Sequence, residues 1–208
     1  MDSRKIYAIW KKQIKDTLKN KEILIQFILF PLLTAVMQRS MNIEGMPENY
    51  FISLFATMYI GMAPLTAMAA ILSEEKERGT LRVLLMSNVK AGEYLIGTGG
   101  YVFMICTLGA LFFGILGHYR GADLAGFVLA MCVGILISLL LGAAIGVRSK
   151  GQMAATSIAV PVMMVLSFLP MLASFNEKIA KVSKFLFPNS AARLWKGLDY
   201  MRLRRRVW

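Results

Sequence analysis

The sequence predicts an all-α integral membrane protein, a polytopic bundle of five transmembrane helices with an amphipathic helix at its N-terminus. Hydrophobic residues make up 57% of the 208 residues and charged residues only 17%, which is less charge than a soluble domain usually carries. A helix needs about 20 mostly apolar residues to cross a bilayer. Runs without Asp, Glu, Lys, Arg or His extend over residues 23–38, 50–72, 94–117, 124–147 and 152–175.

The first of these runs is the shortest. We expect it to complete a span because Lys19 and Lys21 before it and Arg39 after it can extend their charged ends to the headgroups. The predicted transmembrane domain therefore covers residues 22–176, followed by a basic C-terminal tail at 177–208.

Residues 1–21 predict an amphipathic helix that lies along the membrane surface. Ile6, Trp10, Ile14 and Leu18 recur every four residues, and lysines lie toward the other side. Such a helix suits the inner leaflet, either as a plain anchor or as an element that also contacts a cytosolic partner.

Basic residues predict the orientation. The net charge is +12. The basic residues flank the spans, so we expect them to contact the phospholipid surface and not nucleic acid. Most of them fall on one side of the predicted topology, which places the N-terminus in the cytoplasm and the protein in the cytoplasmic membrane. That side carries Arg4, Lys5, Lys11, Lys12, Lys15, Lys19, Lys21, Lys76, Arg78, Arg82, Lys90, Arg148 and Lys150, against Arg39 and Arg120 on the other.

Two further patterns concern the spans themselves. Small residues recur every four positions in the fourth run and allow close helix approach, either within one bundle or between subunits. They are Gly126, Ala130, Gly134, Ser138, Gly142 and Gly146. Hydroxyl groups at Thr57, Thr66, Thr156 and Ser157 are candidates to line a transport pathway, although such groups in spans more often bond their own helix backbone.

The sequence lacks several kinds of chemistry. No Gly-x-x-x-x-Gly-Lys-Ser/Thr loop is present to bind nucleotide phosphates, and no His, Cys or carboxylate cluster suits a metal. No ionisable side chain lies within a span, although proton-driven transporters use such groups. The chain is therefore expected to be neither an enzyme nor a self-powered pump, and to contain no cofactor.

The charged segment at residues 73–90 separates the second and third spans. Gly79 suits the positive-φ position that ends a helix, and Thr80 suits the cap of the next one. Leu81, Leu84 and Leu85 then share one face, which is expected either to pack under the bundle or to enter a groove on a partner.

This segment resembles the signature of ABC-2-type permeases. The family pattern Glu-Lys-Glu-x-Gly-Thr-Leu-x-x-Leu-Leu-x-Ser-Pro is similar to the stretch from Glu75 to Ser87, and Glu93-Tyr-Leu-Ile-Gly97 continues the likeness. The resemblance implies a cytoplasmic coupling helix that docks on a separate ABC ATP-binding subunit, where ATP and Mg are held. It also implies a second permease subunit, identical or different, and transport that is usually export.

The residues that the resemblance assigns to coupling are those of the motif itself. Carboxylates there are expected to meet basic residues of the partner. The set comprises Glu74, Glu75, Glu77, Arg78, Gly79, Thr80, Leu81, Leu84 and Leu85.

Two alternatives stay open at this stage. The chain is either the permease of an ATP-driven exporter of apolar or amphipathic cargo, such as drugs, peptide antibiotics or lipids, or a channel or docking protein that works without ATP. Family members normally have a sixth span, whereas residues 177–208 contain no sixth apolar run. The tail is therefore expected either to lie outside, as the end of a shortened permease, or to stay at the inner face. In the second case residues 185–195 are re-entrant or the fifth apolar run loops back.

Overall fold

The structure, a computed structural model, describes residues 3–19, 21–40, 49–86 and 89–175. These residues form seven helices and no strand. They are α1 (Ser3–Lys19), α2 (Lys21–Ser40), α3 (Tyr50–Glu77), α4 (Thr80–Met86), α5 (Ala91–Leu116), α6 (Ala122–Arg148) and α7 (Gln152–Phe175). The all-α class is confirmed for this part of the chain. The predictions for the tail concern residues outside the described ranges.

Three helices, α3, α5 and α6, are long and apolar enough to cross a membrane. In α2 and α7 the described apolar stretches are shorter, at 27–40 and 152–168. Membrane spans are thus present, and the count of five stays a prediction.

Helix α3 is the centre of the bundle. It contacts α2, α4, α5, α6 and α7, and 67% of its apolar stretch is buried, against 39% in α5 and α6. The outer helices expose large aliphatic side chains such as Leu108, Ile115, Leu129 and Leu140. In a bilayer these face lipid at no cost, because lipid tails are as apolar as leucine. Displacement of α3 therefore affects most of the other helices.

The small-residue stripe of α6 packs inside this chain. Ala130, Gly134, Ser138, Gly142 and Gly146 are buried, whereas Gly126 is only partly buried. A Cβ at Gly142 would overlap the carbonyl oxygen of Leu65, and one at Gly146 would come within 2.8 Å of Leu72. Close contact between the backbones of α6 and α3 explains these residues, so the alternative of a subunit interface is not needed for the buried members.

Helix α1 packs on the bundle through a face other than the apolar stripe that was predicted to lie on the membrane surface. Ile9, Gln13 and Thr17 are buried, while Ile14 and Leu18 are exposed. The reason is close packing on α5, where Gly97 makes room for Ile9. Since α1 lies against protein on one side, its exposed apolar residues are left for another surface, as an interfacial helix requires.

Candidate functional site

Three consecutive residues at the C-terminal end of α3 each form side-chain hydrogen bonds with a different helix or its cap. We refer to Glu75, Lys76 and Glu77 as the charged triplet. Successive residues of an α-helix point about 100° apart. Three charged neighbours at a helix end therefore face three directions, and here each direction holds another element of the fold.

Glu75 binds α1. Its carboxylate Oε1 accepts hydrogen bonds from Lys12 Nζ at 2.5 Å and from Gln13 Nε2 at 2.8 Å. Gln13 is 1% exposed and Glu75 is 7% exposed. A buried carboxylate is stable only with such partners. The contact therefore fixes the amphipathic helix to the end of the central helix.

Lys76 and Glu77 hold the connection between α6 and α7. Lys76 Nζ donates to the carbonyl oxygens of Val147 and Ser149, both at 2.9 Å. Glu77 Oε2 accepts the backbone N–H of Gln152 at 2.7 Å. The signs match the helix dipoles, because α6 ends in unpaired carbonyls and α7 begins with unpaired N–H groups.

A glycine turn separates the charged triplet from α4. Gly79 has φ of +69°, as predicted. Thr80 does not cap α4, contrary to the prediction, because it is already the first residue of that helix. Its hydroxyl instead donates to the carbonyl oxygen of Glu75 at 3.0 Å, which satisfies the end of α3. The turn thus links α3 tightly to α4.

Helix α4 has an inner and an outer face. Leu81 and Leu84 are partly buried and pack against the main core, so of the two predicted alternatives they take the one under the bundle. The outer face carries Val83, 66% exposed, and Met86, 81% exposed, one turn apart. The side chain of Leu85 lies outside the described residues. The apolar surface offered by α4 is therefore a different one from the leucine face of the sequence.

The remaining predicted coupling residues are surface groups. Glu74 forms an ion pair with Arg78 at 2.7 Å on the outside of α3. Glu77 is exposed and caps α7. The expectation that all three carboxylates face a partner is wrong for Glu75, because burial under α1 encloses it.

The predicted pathway residues fall in different places. Thr57 is buried and donates to Ser53, and Thr66 donates to Met62, each at 2.7 Å to a carbonyl of its own helix. Thr156 and Ser157 are exposed and share a groove of about 700 Å³ at the start of α7. We call it the α7 groove. Its lining comprises Glu77, Gln152, Met153, Thr156, Ser157, Val160 and Pro161.

Sequence reasoning missed the partners of the charged triplet. Lys12 and Gln13 are distant in sequence from Glu75, and nothing in their spacing indicates the contact. One signal was available, since three successive charges at a helix end must point in three directions. The identity of each neighbour depends on how the helices pack.

The family model described as ABC-2 type transporter matches residues 4–177. No individual curated protein and no solved structure matches the chain significantly. The matched range covers α1 to α7 and includes the charged triplet, α4 and the three long apolar helices. With this match and this helical membrane architecture, the chain belongs to the ABC-2 type transporter family as a membrane-embedded permease component, and membership of that family implies association with an ABC ATP-binding subunit.

Proposed function

We propose that this chain is the membrane-spanning permease subunit of an exporter driven by ATP. The observation that carries the proposal is the position of α4, whose exposed Val83 and Met86 lie just beyond the residues that hold α1, α6 and α7. A separate subunit binds ATP and Mg in this scheme, and its contact with α4 supplies the force.

The charged triplet distributes that force. A displacement of α4 moves the end of α3 through the turn at Gly79, where Thr80 is bonded back to Glu75. The three contacts of the triplet then carry the displacement to α1, to the end of α6 and to the start of α7. Close-packed helices have low compressibility and move as rigid units. A small displacement at α4 therefore tilts whole helices.

The proposed orientation places the charged triplet and α4 in the cytoplasm. It rests on the basic residues near this end, among them Lys12, Lys76, Arg78 and Arg148. The complex is proposed to contain two permease chains, identical or different, and its cargo is proposed to be apolar or amphipathic because no described span carries a charge in its middle.

Co-purification with the ABC ATP-binding subunit of the source organism tests the docking face. Val83→Asp and Met86→Asp place a charge where an apolar contact is proposed, and we expect at least a tenfold loss of the co-purified subunit. Both side chains are exposed, so the thermal stability of the permease should not change. Met86→Leu is the matched control and should retain the subunit.

Leu84→Asp separates the two faces of α4. Because Leu84 packs against the core, this variant should lower the melting temperature of the permease itself. Undiminished co-purification of Met86→Asp would refute the docking face. If the reconstituted complex moves cargo equally well without ATP, the alternative of a channel or docking protein is favoured.

A further inference from the structure

The α7 groove combines a charged end with an apolar wall. Glu77 of α3 lies at one end, next to Gln152, the first residue of α7. Met153, Val160 and Pro161 supply apolar surface along a little more than two turns of the helix. Its volume of about 700 Å³ lies within the range of small-molecule sites.

Among the described residues of the groove, Thr156, Ser157 and Glu77 present hydrogen-bond acceptors to a ligand. Thr156 and Ser157 donate their hydroxyl hydrogens to the carbonyl oxygens of Gln152 and Met153, both at 2.9 Å. Their lone pairs are then the part left for a ligand. Glu77 uses Oε2 for the N–H of Gln152, which leaves its other oxygen available. Groups of this kind select a ligand that donates hydrogen bonds.

The carboxylate of Glu77 is not paired with the neighbouring cations Lys76 and Arg78. Lys76 is directed to the carbonyls of Val147 and Ser149, and Arg78 pairs with Glu74. Among the described residues, Glu77 forms no ion pair within 4.0 Å. The charge of this carboxylate favours a cationic ligand over an anionic one at this end of the groove.

We propose that the α7 groove binds a cationic amphiphile, a primary ammonium group attached to an apolar chain. The ammonium lies by Glu77 and donates to the hydroxyl oxygens, and the chain lies along Met153, Val160 and Pro161. A cationic amphiphile is a narrower class than the apolar or amphipathic cargo of the proposed exporter. Only the statement that this ligand is a cargo rests on the proposed function.

Equilibrium binding of radiolabelled dodecylammonium to the full chain tests the site. The protein is placed in nanodiscs of phosphatidylcholine, and binding to empty nanodiscs is subtracted, so that the saturable component is measured. Dodecyltrimethylammonium keeps the charge and lacks N–H donors, and dodecanol lacks the charge. We expect the primary ammonium to bind most tightly, and dodecanol to bind at least about tenfold more weakly.

Glu77→Gln should weaken the binding of dodecylammonium about tenfold. Asp123→Asn removes a carboxylate from the first turn of α6, outside the groove, and should leave binding unchanged. Thr156→Val keeps the shape of an exposed side chain and removes its hydroxyl oxygen. It should weaken the binding of dodecylammonium several-fold and have little effect on the binding of dodecyltrimethylammonium. If Glu77→Gln unfolds the protein, Thr156→Val tests the site independently.

Equal binding of dodecanol and dodecylammonium to the wild-type protein would overturn the proposal. Undiminished binding by folded Glu77→Gln, or by Thr156→Val, would overturn it as well. The assay contains no ATP-binding subunit, so a failure of the proposed exporter function is seen only in co-purification and transport, and a failure of the groove is seen only in this binding measurement.

Discussion

The contact between Glu75 and α1 leads to a quantitative prediction about stability. Replacing Glu75 with Met removes the acceptor of Lys12 and of Gln13, which is 1% exposed. A buried group left without its partner costs about 1–3 kcal/mol, and a lost charged hydrogen bond about 1.5–3 kcal/mol. The Lys12 side chain is 34% exposed, so its share is reduced by solvent. We expect a total of about 3 kcal/mol, which is about 6–12 °C in melting temperature for a chain of this length.

A double-mutant cycle in detergent micelles measures this contact. Lys12→Met alone leaves Glu75 with Gln13 as its donor, and the double variant Lys12→Met/Glu75→Met removes both charges. The double variant should lose about 1–2 kcal/mol less than the sum of the single variants. Asp16→Asn is the matched control, because Asp16 is 54% exposed and lies 3.7 Å from the same ammonium. It should cost less than about 0.5 kcal/mol. Losses that add within about 0.5 kcal/mol would refute the reasoning.

Two glycine substitutions test the geometry by the same melting assay. Gly142→Ala places a methyl group on the carbonyl oxygen of Leu65 and should cost about 1–3 kcal/mol as α6 and α3 separate. Gly79→Ala meets no atom within 4 Å, so its expected cost of about 1–2 kcal/mol comes from the positive φ alone, and Gly79→Asn should cost less. Gly92→Ala, which also meets no atom and has no positive φ, is the control for both. A neutral Gly142→Ala would contradict the close packing, and equal costs for Ala and Asn at position 79 would contradict the backbone argument.

Local features of the chain were predictable because they depend on neighbours in sequence. The positive φ at Gly79 follows from the need of a helix to end in a left-handed residue, which glycine adopts most easily. The small residues from Ala130 to Gly146 recur every four positions, which places them on one face of a helix. Their spacing predicts a close helix contact, and this face is buried. The long apolar helices follow from composition alone.

The sequence was less informative about which face of a helix contacts which neighbouring helix. On α1 the apolar stripe was assigned to the membrane surface, and the face that packs on protein, which contains Gln13 and Thr17, was not predicted. Polar residues are buried there because the neighbouring elements supply hydrogen-bond partners, and periodicity contains no information about such partners. On α4 the predicted leucine face includes Leu81 and Leu84, and only the packing shows that these two are turned inward.

The sequence by itself determined that this chain is a helical membrane protein with a charged segment between its apolar runs, because burial in lipid imposes composition and period directly. It also determined the family, through residues that lie close together in the chain. The tertiary structure alone decided that Glu75 holds α1, that Lys76 and Glu77 hold the ends of α6 and α7, and that Val83 and Met86 remain outside. These contacts join residues more than 60 positions apart. Their partners are set by how long helices pack against one another, and no local pattern in the chain records that arrangement.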